Sequence, residues 1–140
     1  MNIKTIILLG CCFSVVSWAK TPLVLLSIDG FAQHYIAQYQ PKTLMSLIQQ
    51  GTSAKALLPV YPSKTFPNHL SIITGCYPIN HGLIHNDFFH RKINKNYHLG
   101  DGKNDPRWLT AKPLWHINEM QGNKSAIYFW PESETSIDNK

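Results

Sequence analysis

Six consecutive residues, Leu23-Val24-Leu25-Leu26-Ser27-Ile28, form an apolar run broken only by one serine and stopped by Asp29-Gly30. A run of this length without polar alternation suits a β-strand covered on both faces, as in a parallel sheet flanked by helices. The chain that carries it must therefore supply neighbouring strands and helices to cover them. Asp29 falls at the carboxyl end of such a strand, the edge at which open α/β sheets collect their ligands. Asp-Gly is also a turn-forming pair, and both readings can hold, because a turn leaves the carboxylate free to coordinate a cation.

Beyond Gly30 the segments alternate in kind. Pro41 to Gln50 places Leu44, Leu47 and Ile48 on one face between Pro41 and Gly51, which predicts an amphipathic helix. Residues 53–58 read as a short strand, and Pro59 and Pro62 then force a loop. Thr65 to Thr74 is predicted as a helix from Phe66, Leu70 and Ile73 at helical spacing, Pro67 in the first turn and Gly75 at the end. Past this helix, the turn-rich stretch to Asn86 places His81-Gly82 where a loop needs fixing, and the polar residues through Pro106 read as an irregular surface loop. A short helix is expected over 113–121 and a further strand over 125–130. Strand, helix, strand, loop and helix in this order argue an α/β fold with about three strands, a sheet that leaves apolar faces uncovered.

The segment Pro62 to Gly75 carries the chemistry. If Thr65 stands at a helix N-terminus, unpaired N–H groups and the helix dipole around it favour a phosphate, and favour the alkoxide over the hydroxyl. An ordinary N-cap role explains the same threonine.

Residues 1–19 read as a cleaved secretory signal: a basic start at Lys4, an apolar stretch from Thr5 to Val16, and small residues at Ser17 and Ala19. Its removal takes Cys11 and Cys12 and leaves Cys76 alone, so the exported product, periplasmic or secreted, has no intrachain disulfide framework and no transmembrane segment. The net charge of +5 helps to recruit an anionic substrate. The one dense basic patch, Arg91 to Lys95, lacks an aromatic platform and reads as a solvated loop rather than a nucleic-acid groove. Candidate metal ligands near the proposed sheet edge are Asp29, Thr65, His69, His81, His85 and Asn86, with each histidine better explained by capping or packing.

Several blocks in fixed order add a resemblance. Leu25-Leu26-Ser27-Ile28-Asp29-Gly30-Phe31, Lys64-Thr65-Phe66-Pro67-Asn68-His69, Thr74-Gly75-Cys76-Tyr77-Pro78, His81 to Asn86, Pro113-Leu114-Trp115 and Phe129 to Glu134 together resemble the nucleotide pyrophosphatase/phosphodiesterase family of the alkaline phosphatase superfamily. The resemblance implies an alkaline-phosphatase-like sandwich, a mostly parallel sheet flanked by helices, of which residues 20–140 form the N-terminal part. It implies two zinc ions, with Asp29 and Thr65 on one of them. Thr65 is then the nucleophile, as an alkoxide, in the hydrolysis of phosphodiester or pyrophosphate bonds of nucleotides. Asn86 is implied as a donor to a phosphate oxygen, Phe66 as a base-stacking residue, and Lys64 as a substrate neighbour. The remaining metal ligands of the family cannot be placed in this chain. The chain alone is therefore expected to bind zinc poorly and to be inactive unless a C-terminal polypeptide complements it. The alternatives are a non-catalytic remnant, an anion-binding module, or another hydrolase of the superfamily.

Overall fold

The computed structural model describes residues 21–137, so the expected signal at 1–19 lies outside the described residues. Helices α1 (His34–Tyr39), α2 (Lys42–Gln50), α3 (Thr65–Thr74) and α4 (Pro78–His81) precede a small hairpin, β1 (Phe88–His90) and β2 (Lys95–Tyr97). Two 3₁₀ turns, Asp101–Lys103 and Pro106–Trp108, lead to α5 (Leu114–Met120). Proline and glycine set the bounds. Pro41 precedes α2 and Gly51 follows it, while Gly75 closes α3 in the left-handed conformation at φ 67°.

The core is built around α3, whose inward face buries Pro67, His69, Leu70 and Ile73. Leu70 and Ile73 pack with Leu83, Tyr97 and Trp108, and half-buried Phe66, Phe88, Trp115 and Trp130 cover the edges. The hairpin is antiparallel with Phe88 opposite Tyr97, so one cross-strand aromatic pair, 5.3 Å between ring centroids, faces this core. Trp108 completes it edge-on to Tyr97 at 5.2 Å. The stretch from Tyr97 to Trp108, most of it expected as surface loop, thus provides two of the five side chains of the core cluster among the described residues.

A polar clasp ties the chain's later residues to the hairpin. The Tyr97 hydroxyl donates to Glu132 Oε1, and the Thr135 hydroxyl donates to Glu132 Oε2 at 2.7 Å, all three side chains being buried. Burial, with the Glu132 carboxylate beside it, pushes the Tyr97 phenol well above its usual 10, so it remains a donor. Gly102 lies directly beneath this carboxylate, where a Cβ would overlap Glu132 and Thr135.

His81 does for the α3–α4 corner what a backbone bond cannot. Its Nδ1 accepts from Leu83 N–H at 3.3 Å, so Nε2 carries the proton and donates to Pro67 O at 3.2 Å. The loop-fixing role expected of His81 is what the structure shows. Desolvation lowers the imidazole pKa below its ordinary 6.5. Below that pH the unfolded chain binds the proton that the folded chain refuses, so stability is full above it and falls with acidification. Thermal melts should show a lower midpoint at pH 5.5 than at pH 7.5, with a smaller difference in His81→Gln.

The expected strands are the main correction. Among the described residues the only sheet is the antiparallel pair β1–β2, and no parallel pair forms. Residues 23–28, 53–58 and 125–130 have no strand pairing. Most of their apolar side chains are in solvent, with Val24 85%, Leu58 87% and Phe129 93% exposed, while Trp130 reaches the core edge. A strand buried on both faces is made by its neighbours rather than by its own sequence, and here each run lacks one.

Candidate active site

The sequence places Thr65 at the start of α3, and the structure makes it the first helical residue, with Lys64 as N-cap at φ −119° and ψ 156°. Its hydroxyl does not cap the helix. It donates instead to Asp29 Oδ2 at 3.0 Å, across 36 residues of sequence. Asp29 sits in a turn with Gly30 at φ 67°, so the Asp-Gly turn and the free carboxylate coexist.

Asn86 meets the same helix end. Its Oδ1 accepts from the Phe66 N–H at 3.2 Å, satisfying one of the orphan donors of the first turn. That contact engages the amide oxygen and leaves the NH₂ as the group able to donate. Pro67 has no N–H and Asn68 N–H bonds to Lys64 O, which leaves Thr65 N–H without an acceptor among the described residues. The Asn68 side chain also holds the approach loop, with Nδ2 donating to Lys64 O at 2.8 Å and Oδ1 accepting from Val60 N–H.

A cleft of about 640 Å³ runs past this helix end. Asp29, Thr65, Phe66 and His69 line it together with Tyr128 to Glu134. The half-buried Phe66 ring both lines the cleft and packs on the core. Lys64 is exposed, with no side-chain partner among the described residues. The structure thus brings Asp29, Thr65, Phe66 and Asn86 together, and leaves the exposed Lys64 outside the cleft lining.

Of the candidate histidines, His69 and His81 have both ring nitrogens engaged. His69 has Nδ1 on Thr65 O at 2.8 Å and Nε2 on Ser27 Oγ at 2.9 Å. His85 Nδ1 is turned onto Asp87. Among the described residues no group of three His, Cys, Asp or Glu side chains could hold a metal ion. The Asp29–Thr65 pair does fit part of one: two oxygen donors 3.0 Å apart match an edge of a zinc tetrahedron, about 3.3 Å for zinc–oxygen bonds of about 2.0 Å.

Sequence reasoning passed over Ser27 and Trp130, whose indole N–H donates to His69 O at 3.3 Å with its ring edge-on to the imidazole. The available signal was spacing, since Ser27 and Asp29 are two apart and Thr65 and His69 four apart.

Known proteins share this chain's sequence and fold. Residues 23–140 match the family described as type I phosphodiesterase / nucleotide pyrophosphatase. The venom phosphodiesterase of Naja atra is 42% identical over 123 residues, covering 84% of this chain and 15% of the venom protein. Ectonucleotide pyrophosphatase/phosphodiesterase family member 1 of Homo sapiens is 40% identical over 119 residues, covering 83% of this chain and 13% of the human one. The chain thus spans about a seventh of the length of these relatives. Among solved structures, murine ectonucleotide pyrophosphatase / phosphodiesterase 5, an inactive threonine-to-alanine variant in complex with AMP, superimposes with a TM-score of 0.74 at 26% identity. The human counterpart gives 0.70 at 32% identity, and in both cases 81% of this chain matches 31% of the other. On the family match and these identities, the chain belongs to the type I phosphodiesterase / nucleotide pyrophosphatase family, a family of hydrolases.

Proposed function

We propose that this chain carries the nucleophile end of a zinc-dependent nucleotide pyrophosphatase/phosphodiesterase, the N-terminal portion (residues 20–140) of an alkaline-phosphatase-like catalytic domain. The observation that carries the reading is the Thr65 hydroxyl bonded to Asp29 at the start of α3, beside an Asn86 side chain bonded to the Phe66 N–H. The AMP-bound, inactive threonine variant of the murine relative supports a threonine-based reaction on nucleotides.

The chemistry is set by these groups. Thr65 Oγ1 donates a hydrogen bond to Asp29 and keeps its lone pairs for phosphorus, its proton passing to solvent as the alkoxide attacks. Attack forms the Thr65–phosphorus bond, and the phosphorus–oxygen bond to the leaving group breaks. Water then cleaves the phosphothreonine ester and releases a nucleoside monophosphate. Asn86 NH₂ and Thr65 N–H donate to the phosphoryl oxygens as charge grows on them. A neutral amide donor suits the single charge of a diester. Phe66 offers a ring face to the base, and Lys64 a cation.

Asp29 and Thr65 would hold one of two zinc ions, which when bound supply Lewis-acid charge at the attacking and leaving oxygens. Since the described residues hold no group of three ligands, further ligands must come from elsewhere, in a complementing C-terminal polypeptide or segment. The chain alone is accordingly a weak zinc binder without turnover. On its leader, residues 1–19, we place the protein outside the cytoplasm, periplasmic or secreted; among the described residues no helix is long and apolar enough to cross a membrane.

The test is direct. The complete gene product, supplied with zinc and a dinucleotide substrate and quenched in acid, should yield a Thr65 peptide heavier by one nucleotidyl group, a nucleoside monophosphate less water. Label on another residue, or hydrolysis with no adduct under any quench time, overturns the nucleophile assignment.

A further inference from the structure

We propose that His69 is a positioning residue that sets the distance between Asp29 and Thr65; the inference rests on reading those two as the reacting pair. His69 is buried, with 8% of its surface exposed, and both ring nitrogens are engaged. Thr65 O can only accept, so Nδ1 carries the proton and Nε2 accepts from the Ser27 hydroxyl.

The segment that bears Asp29 has no ladder to hold it. Residues 21–28 have no regular structure, and among the described residues only two hydrogen bonds leave the 21–30 segment. One is Asp29 with Thr65, the pair itself. The other is Ser27 with His69. Remove the second, and among the described residues the reacting contact is the one hydrogen bond left between this segment and the helix.

The spacing explains why this arrangement keeps register. Two residues of extended chain advance about 6.6 Å, and four residues of α-helix advance about 6 Å. Ser27 and Asp29 therefore match His69 and Thr65 as two rungs between a segment and a helix that run in opposite senses. A one-residue slip would turn Asp29 away from the helix. On its far side His69 is backed by Trp130, edge-on at 5.3 Å and bonded to His69 O, which holds the imidazole in its rotamer.

Ser27 is exposed, so Ser27→Ala deletes the rung without touching the core. In the full chain labelled for NMR, the nuclear Overhauser contact between the Thr65 methyl and the Asp29 β-protons should be present. It should be lost in Ser27→Ala and His69→Phe and retained in Ser27→Thr, with the thermal midpoint of Ser27→Ala unchanged. In the complete gene product with zinc, Ser27→Ala should lower kcat about tenfold with little change in KM, and Ser27→Thr should restore it. Absence of the contact in the unaltered chain, or its survival in Ser27→Ala, overturns the inference whatever the assay reads. Should the contact respond as stated while Thr65→Ala leaves hydrolysis intact, the positioning of Asp29 stands and the nucleophile reading falls.

Discussion

Thr65→Ala in the complete gene product, assayed with zinc on a chromogenic phosphodiester, lowers kcat by about 10⁴-fold or more, the loss expected when a covalent nucleophile is removed. Most substitutions at a helix start confound fold with function, because the side chain is also the cap. Here it is not: the Thr65 hydroxyl bonds Asp29, and none of its contacts satisfies a helix N–H. Alanine is also the better helix former at this position. The thermal midpoint should therefore stay within about 2 °C of the unaltered protein, and Thr65→Ser should keep most of the rate. Asn86→Ala should cost less, about 10²-fold to 10³-fold, as for the loss of one donor to developing charge. A Thr65→Ala enzyme at full rate would remove this residue from the reaction.

Leu70→Ala is expected to have the largest effect on stability. Leu70 is fully buried at the centre of the α3 core, and truncation there costs about 3 kcal/mol in transfer and cavity terms. Only five side chains make up the buried core cluster among the described residues, so little can relax to fill the space. For a chain of this size that corresponds to a fall on the order of 15 °C in the melting midpoint. Leu58→Ala, at a side chain 87% exposed, should move it hardly at all. Equal shifts from the two would show that the core does not lie on α3.

Helices α2, α3 and α5 were legible because their signals are local, whereas α1 and α4 were not expected from the sequence. Pro41 and Gly51, Pro67 and Gly75, and Pro113 and Gly122 mark apolar spacing that a window of about ten residues contains, and α2, α3 and α5 form at those marks. Sheet was legible only as potential. Leu23 to Ile28 reads as a buried strand from its composition, yet burial needs partners far away in sequence, and no pairing forms in the described residues. The converse failure is Tyr97 and Trp108: each stands alone in polar sequence, without period, and each is in the core. At the site, Asp29, Thr65 and Asn86 were legible as residues and converge in space. Their geometry was not, since the bond from the Phe66 N–H to Asn86 Oδ1 depends on how the α4 corner turns, and His81 sets that corner through contacts with Pro67 and Leu83.

Gly102 and Glu132 lie thirty positions apart, yet the clasp makes them one choice. The buried carboxylate occupies the volume that any side chain at 102 would need, and Glu132 stands there at φ 60°, a conformation that few residues other than glycine accept. A larger residue at 102 is tolerable only if 132 shrinks, and a smaller residue at 132 strands the Tyr97 and Thr135 hydroxyls. Their substitutions should therefore be non-additive. Over the history of such chains the two positions would be inherited as a single character.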